Sequence, residues 1–175
     1  MNITYRNIDF GSDADCTLLA KWANDPEIRH LATLYNDQAS FATLASLERF
    51  KEREKNPNKN RTDIMILLNE IPIGEMSFEL YPESDSNPVL SVAWLSIVIG
   101  EAHARGKCLG RIAMTHLENL ARAAGATRAE LGVFEFKERA QALYHRLGYT
   151  EFKRIPNFTF WNGKMWTDIR MGKNL

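Results

Sequence analysis

The sequence predicts a mixed α/β domain, and three observations carry that prediction. An apolar, strand-like run from Leu95 to Ile99 ends at Gly100 and reopens, across a short loop, into the amphipathic pattern of a helix at Gly110. Asn162-Gly163, flanked by Phe158-Thr-Phe-Trp161 and Met165-Trp-Thr-Asp-Ile-Arg-Met171, is the signal for a type I′ hairpin. Two helical patterns near the N-terminus precede a run of strands instead of alternating with them, which fits a mixed sheet covered by helices. A chain of 175 residues, 45% of them hydrophobic, suits one domain over 1–175, since that length buries about 70% of its unfolded surface.

The elements follow in order. Residues 2–7 alternate as an opening strand. Ser12-Asp-Ala-Asp15 begins a helix that carries Leu18, Leu19 and Trp22 and ends near Asp25-Pro26. A second helix starts at Ser40 and continues through Leu44, Leu47 and Phe50. Its charged tail, 51–61 with Asn56-Pro57, reads as a solvated loop. Residues 63–69 and 73–81 form a hairpin whose turn contains Pro72, and 82–88 form a turn-rich loop before the strand that feeds the glycine loop. Leu109, Ile112, Ala113, Leu117, Leu120, Ala121 and Ala124 share one helical face, with Gly125 suited to the C′ position. A strand at 129–134, a helix at 139–147 ended by Gly148 and a strand at 149–153 lead to the final hairpin.

Charge excludes several roles. Lys plus Arg equal Asp plus Glu at 22 each, so no global field favours nucleic acid or an anionic membrane, and any basic site is local. The apolar run 89–99 is too short to span a bilayer, and the N-terminus has neither a basic n-region nor an apolar h-region, so a cytoplasmic location is expected. Cys16 and Cys108 show no disulfide framework and no metal spacing; both read as free thiols, and no metal is expected.

The chemistry concentrates at 100–110. Arg105, Gly106 and Lys107 immediately precede a helix, so unpaired backbone N–H groups, the positive end of the helix dipole and two cations converge on one spot. An anionic ligand suits it, and spacing separates three candidates. A dinucleotide loop needs G-x-G-x-x-G, and only Gly106 and Gly110 fall in that window. A P-loop needs G-x-x-x-x-G-K-[ST]; Gly100 to Gly106-Lys107-Cys108 is one residue too long, and Cys108 lacks the hydroxyl that would ligate magnesium. The third candidate is a coenzyme A loop of the form [Q/R]-x-x-G-x-[G/A], which Arg105-Gly-Lys-Cys-Leu-Gly110 matches at both ends, with Cys108 at the middle glycine.

That loop pattern resembles the one in the GNAT acetyltransferases, and the resemblance continues along the chain. Trp22-Ala-Asn-Asp25-Pro26-Glu27-Ile28 is similar to the W-x-x-D-P-E-[VI] segment of the ribosomal-protein N-terminal acetyltransferase (RimJ/RimL) branch. Leu131-Gly-Val133, then Arg139-Ala140, Leu143-Tyr144 and Gly148-Tyr149, resemble its L-x-V…N-x-R-A-x-x-L-Y-x-x-x-G-[FY] element, and Asn162-Gly163…Asp168-Ile-Arg-Met171 also fits.

The resemblance implies a GNAT fold, with a mostly antiparallel, splayed sheet and helices on both faces. It implies acetyl-CoA as cosubstrate, its pantetheine paired along Ile97, Val98 and Ile99. The pyrophosphate would rest on N–H groups of Gly106, Lys107, Cys108, Leu109 and Gly110, assisted by the side chains of Arg105 and Lys107. Tyr144 takes the place of the general acid that protonates the departing thiolate. Lys137 stands where the branch commonly has Asn, either as a phosphate contact or as a surface lysine. Cys108 is a thiol activated by Lys107 and the helix N-terminus, or a small side chain packed under the loop. Glu79, Glu101 and His103 are weak base candidates, and Ser96 could orient an amine. Weak bases suffice for an N-terminal α-amine, whose pKa is near 8.

The implied reaction is direct acetyl transfer to a primary amine, of a protein N-terminus or a small molecule, without metal, nucleic acid or membrane. Acceptor choice is expected in 25–39 and in the aromatic hairpin 158–166, whose rings alternatively serve as core or as a homodimer face. The rival reading, motivated by Cys108 and Lys137, is a non-catalytic coenzyme-A-binding regulatory domain.

Overall fold

The chain runs β1 (Ile3–Asn7), α1 (Asp13–Asn24), α2 (Arg29–Ala32), α3 (Gln38–Ala42), α4 (Leu47–Lys55), β2 (Arg61–Leu68), β3 (Ile71–Ser84) and β4 (Asn87–Ile99). A 3-10 turn (Ala102–Ala104) leads to α5 (Leu109–Ala123), β5 (Arg128–Phe134), α6 (Glu138–Arg146), β6 (Thr150–Trp161) and β7 (Lys164–Asn174). The structure is a computed structural model that describes residues 2–84 and 87–175. All strands join one sheet in the order β1-β2-β3-β4-β5-β7-β6. Every neighbouring pair is antiparallel except β4 with β5.

That parallel pair positions the site. β4 and β5 are in register only from Val92 opposite Arg128 to Trp94 opposite Glu130, and then they part. β4 continues to Ile99 and β5 to Phe134 without each other, so the β4 edge from Leu95 onward offers backbone N–H and C=O groups to a ligand.

Strand alternation divides the side chains between two faces. On one, Met76, Phe78, Leu95, Leu131 and Met171 pack against α5. Leu109, Met114 and Leu117 of α5 are buried there, each contributing about 1.5–3 kcal/mol. Their burial fixes the helix, and with it the loop at its N-terminus. On the other face Leu19, Trp22, Ile28 and Met65 hold the N-terminal helices.

Several sequence expectations are corrected. The helix expected from Ser40 is two helices, because Ser40 is the third residue of a capping box opened by Asp37 and Ser46 caps a second start. Between them Asn24 binds both the N–H and the C=O of Ala45 at 2.8 Å, holding the chain extended. The charged tail remains helical to Lys55, and the short α2 was not anticipated. Pro72 lies in β3 opposite Leu67, at a register irregularity; the turn is Asn69-Glu70, both with positive φ. The loop expected at 82–88 is strand on both sides, with Asp85 and Ser86 outside the described residues. Ile112 is 38% exposed and Met114 takes its place in the core. β6 runs far past 153, to Trp161, and the Asn162-Gly163 turn has φ of 51° and 78°, as a type I′ turn requires. Among the described residues no helix is long and apolar enough to cross a membrane, and no group of His, Cys, Asp and Glu is placed to hold a metal.

Candidate active site

The glycine loop is gripped from the N-terminal segment. Gly100 lies so close to Trp22 that a Cβ there would sit 2.3 Å from the indole ring. Trp22 Nε1 donates to Glu101 Oε1 at 2.8 Å, and Lys21 Nζ reaches the same oxygen at 2.5 Å. These two partners hold the Glu101 carboxyl below its ordinary range. Arg105 donates through Nε to Ile99 O (3.1 Å) and through Nη2 to Gly100 O (2.5 Å) and Asp25 Oδ2 (2.8 Å). Its Nη1 donates to Glu27 Oε2 at 2.7 Å. The guanidinium expected to meet phosphate thus fastens the loop to β4 and to the Asp25–Glu27 segment while lining the groove described below.

Past that anchor the backbone forms a cradle. Gly106 and Cys108 have φ of 76° and 61°, and Cys108 is the N-cap of α5. Among the described residues, no N–H from Gly106 to Gly110 has a protein acceptor; the first to find one is that of Arg111, on Cys108 O. Consecutive unpaired donors at a helix N-terminus suit the phosphates of a coenzyme. They open into a groove of about 1030 Å³. All the residues expected to hold the cofactor line this groove except Lys107, which is exposed beside it. Cys108 is exposed rather than packed under the loop.

Sequence reasoning missed the groove's other cations. Arg111 on the first turn of α5, and Arg139 and Arg146 seven residues apart on α6, line it and have no carboxylate partner among the described residues. Their spacing on one helical face was the available signal.

A second cavity, of about 840 Å³, opens on the far side of the β4–β5 split. The two meet at Leu31, Ala32, Ile97, Val98, Lys137 and Tyr144, which line both. Tyr144 is buried, and burial pushes its phenol up to about 12, so it stays a proton donor at neutral pH. Lys137 is not a surface lysine: it lines both cavities. Its Nζ donates to Leu31 O at 2.8 Å, and burial brings its pKa down to about 8.

The expected bases fall elsewhere. Glu101 is held by Lys21 and Trp22, while Glu79 accepts from Asn58 at 2.8 Å and faces Arg61, away from both cavities. His103 is exposed on the 3-10 turn. Ser96 does line the second cavity. Two carboxyls went unnoticed. Glu75 lines a small side cavity that shares Ser96 and Val98 with the second one, and desolvation raises its pKa to about 7. Asp168, buried on β7, lines the second cavity, and desolvation raises its carboxyl too. The clue to Asp168 was an acid two residues from Arg170, on the strand face opposite the one that carries Ile169 and Met171.

Of the two segments expected to choose the acceptor, 25–39 contributes Leu31, Ala32 and Leu34 to the second cavity. The hairpin contributes Phe158 alone. Trp161 stacks on His30 at 4.6 Å between centroids and Trp166 packs edge-on against Phe136, so those rings form a half-buried aromatic cluster.

Comparison with known proteins identifies the fold and the family. Over 99% of its length the chain superposes on 94% of yncA from Salmonella typhimurium, solved with its cofactor acetyl-CoA, at 22% identity and a TM-score of 0.75. The spermidine N-acetyltransferase of Vibrio cholerae, in complex with CoA and spermine, gives 17% identity and a TM-score of 0.79 over 98% of this chain and 95% of that one. The ribosomal-protein-alanine N-acetyltransferase of Brucella melitensis gives 20% and 0.77 over the whole of both chains. No curated protein sequence matches. At these identities the structures establish the fold, and the family rests on sequence. The sequence model of the acetyltransferase (GNAT) family matches residues 27–149, which take in the loop, the cradle and Tyr144, and the chain belongs to that family.

Proposed function

We propose that this chain transfers the acetyl group of acetyl-CoA to a primary amine by direct attack. The observation that carries the reading is the meeting of two cavities at Tyr144 and Lys137, one ending in the phosphate cradle and the other open to an acceptor. The open edge of Ile97 to Ile99 suits the amides of pantetheine, and Arg111, Arg139 and Arg146 suit its phosphates. Bound there, acetyl-CoA supplies an activated acyl group at the junction. Tyr144 then gives its proton to the departing thiolate as the C–S bond breaks; the phenol is a weaker acid than the thiol it forms, so the transfer is completed as the phenolate recovers the proton that the attacking amine releases. Lys137, tied to Leu31 O, keeps a positive charge beside the carbonyl that gathers electron density.

The acceptor must arrive as a neutral amine. An α-amine is partly neutral at physiological pH, so its proton can pass to water through the second cavity, and no strong base is needed. Resemblance to the N-terminal acetyltransferase branch, together with the Brucella structure, supports a protein N-terminus as one acceptor class; the Vibrio structure supports small amines.

Incubation with acetyl-CoA and a broad amine panel tests the reading, with thiol release and thermal shift followed together. Acceptor-dependent thiol release and a rise in Tm with acetyl-CoA, but not with ATP and magnesium, are expected. A thermal shift without release from any acceptor would favour the non-catalytic binding domain instead.

A further inference from the structure

The second cavity carries charges that a simple amine does not need. Asp168 and Arg170 alternate on β7 and so present to one face, opposite Phe134 and Gly132 of β5. Gly132 makes room for the acid: a Cβ there would sit 2.9 Å from both carboxylate oxygens of Asp168. The Arg170 guanidinium lies between two rings, 4.5 Å from the Trp94 centroid and 5.1 Å from that of Phe158. Its Nε is 2.5 Å from Asp168 Oδ2, yet both atoms are buried without a well-formed hydrogen bond. Neither Nη of Arg170 donates to any described residue.

The rings fix the plane of the guanidinium and satisfy none of its N–H groups. A planar fork of unused donors held beside a buried carboxylate, both lining a cavity, matches a ligand with an anion and a cation one carbon apart. The charge balance points the same way. The cavity is lined by Arg128, Lys137 and Arg170 against Glu130 and Asp168, so a polycation would meet more positive than negative groups. We propose that this site selects a free α-amino acid or a close aminocarboxylate analogue, its carboxylate on the Arg170 fork and its amine beside Asp168, with the side chain against Trp94 and Phe158. The proposal rests on the acetyltransferase reading above. A peptide N-terminus, in which the carboxylate has become a neutral amide, would leave the fork unpaired.

The test measures acetyl-CoA-dependent thiol release for the protein amino acids, for the primary amide and the decarboxylated amine of each, for spermidine and for short peptides. At least one amino acid is expected to exceed its own amide by tenfold or more in kcat/KM, although the amide has the larger neutral fraction. In Arg170→Lys and Arg170→Gln that ratio should fall to within twofold, through the KM of the amino acid, while acetyl-CoA affinity, the check on folding, is retained. Turnover of amides, peptides or spermidine at least as efficient as that of the amino acids overturns the proposal and leaves the acetyltransferase reading standing. So does a ratio that survives in both variants. Thiol release from no amine at all overturns both.

Discussion

Arg105 is paired with Asp25, its Nη2 2.8 Å from Oδ2, and this pair joins the cofactor loop to a segment eighty residues earlier in the chain. Trp22, Asp25 and Glu27, which sequence reading groups into one motif, all touch residues 100–105. The motif is a clamp on the loop. Arg105→Ala and Asp25→Ala should each lower Tm, and the double variant should be non-additive by about 1 kcal/mol, a figure that allows for solvent screening of a partly exposed pair. Arg139→Ala and Arg146→Ala should instead leave Tm unchanged and weaken acetyl-CoA binding several-fold, more at low salt than at high. Calorimetric titration and thermal melts of these five variants separate the roles; additive losses for Arg105 and Asp25 would contradict the clamp.

Tyr144→Phe removes a hydroxyl from the junction and keeps the ring that packs edge-on against Tyr149. Turnover should fall by about 100-fold with acetyl-CoA affinity unchanged, because the proton matters only as thiolate charge develops. A variant as fast as the wild type would make Tyr144 a core aromatic alone.

Cys108 adopts φ 61° with its side chain exposed, so its Cβ is strained and its thiol is not buried under the loop. Left-handed backbone costs a non-glycine residue about 1–2 kcal/mol, partly offset in glycine by the freedom it loses on folding. Cys108→Gly should be about 0.5–1 kcal/mol more stable and bind acetyl-CoA at least as tightly. Weaker binding by titration would show that the cysteine contributes to the cradle.

Much of this was legible in the sequence, for identifiable reasons. Strand alternation, the Asn162-Gly163 turn and the break at Gly100 are local signals, and each element they mark is present. The cradle was legible because it too is local: a strand, a loop and a helix start within sixteen residues of one another. The clamp made by Arg105 was not legible because its partners, Asp25 and Glu27, are distant in sequence and an arginine's side chain can reach either way. Asp168 and Arg170 were missed as site residues because only the β4–β5 split turns β7 toward a cavity, and no local pattern announces a split. Ser40 misled because the same hydroxyl serves equally at an N-cap and at the third position of a capping box.

Glu75 gives a pH signature. Its carboxyl titrates near 4.5 when unfolded and near 7 in the folded chain, since burial disfavours the charge. Between those values the native state binds more protons. The contribution is therefore fully present below pH 4.5 and is lost as pH rises through 7. Glu75→Gln should melt at the wild-type temperature at pH 4 and above it at pH 8. Equal melting at both pH values would place the carboxyl in an ordinary, solvated setting.

The account's central claim is that one groove carries the coenzyme from the N–H groups of Gly106 to Gly110, along Ile97 to Ile99, to Tyr144. A crystal structure with coenzyme A tests it most directly. The account predicts the pyrophosphate on those five N–H groups, the pantetheine against the open β4 edge, and the sulfur within hydrogen-bond reach of the Tyr144 hydroxyl. A coenzyme bound with its phosphates away from the cradle, or with its sulfur directed away from Tyr144, would contradict it.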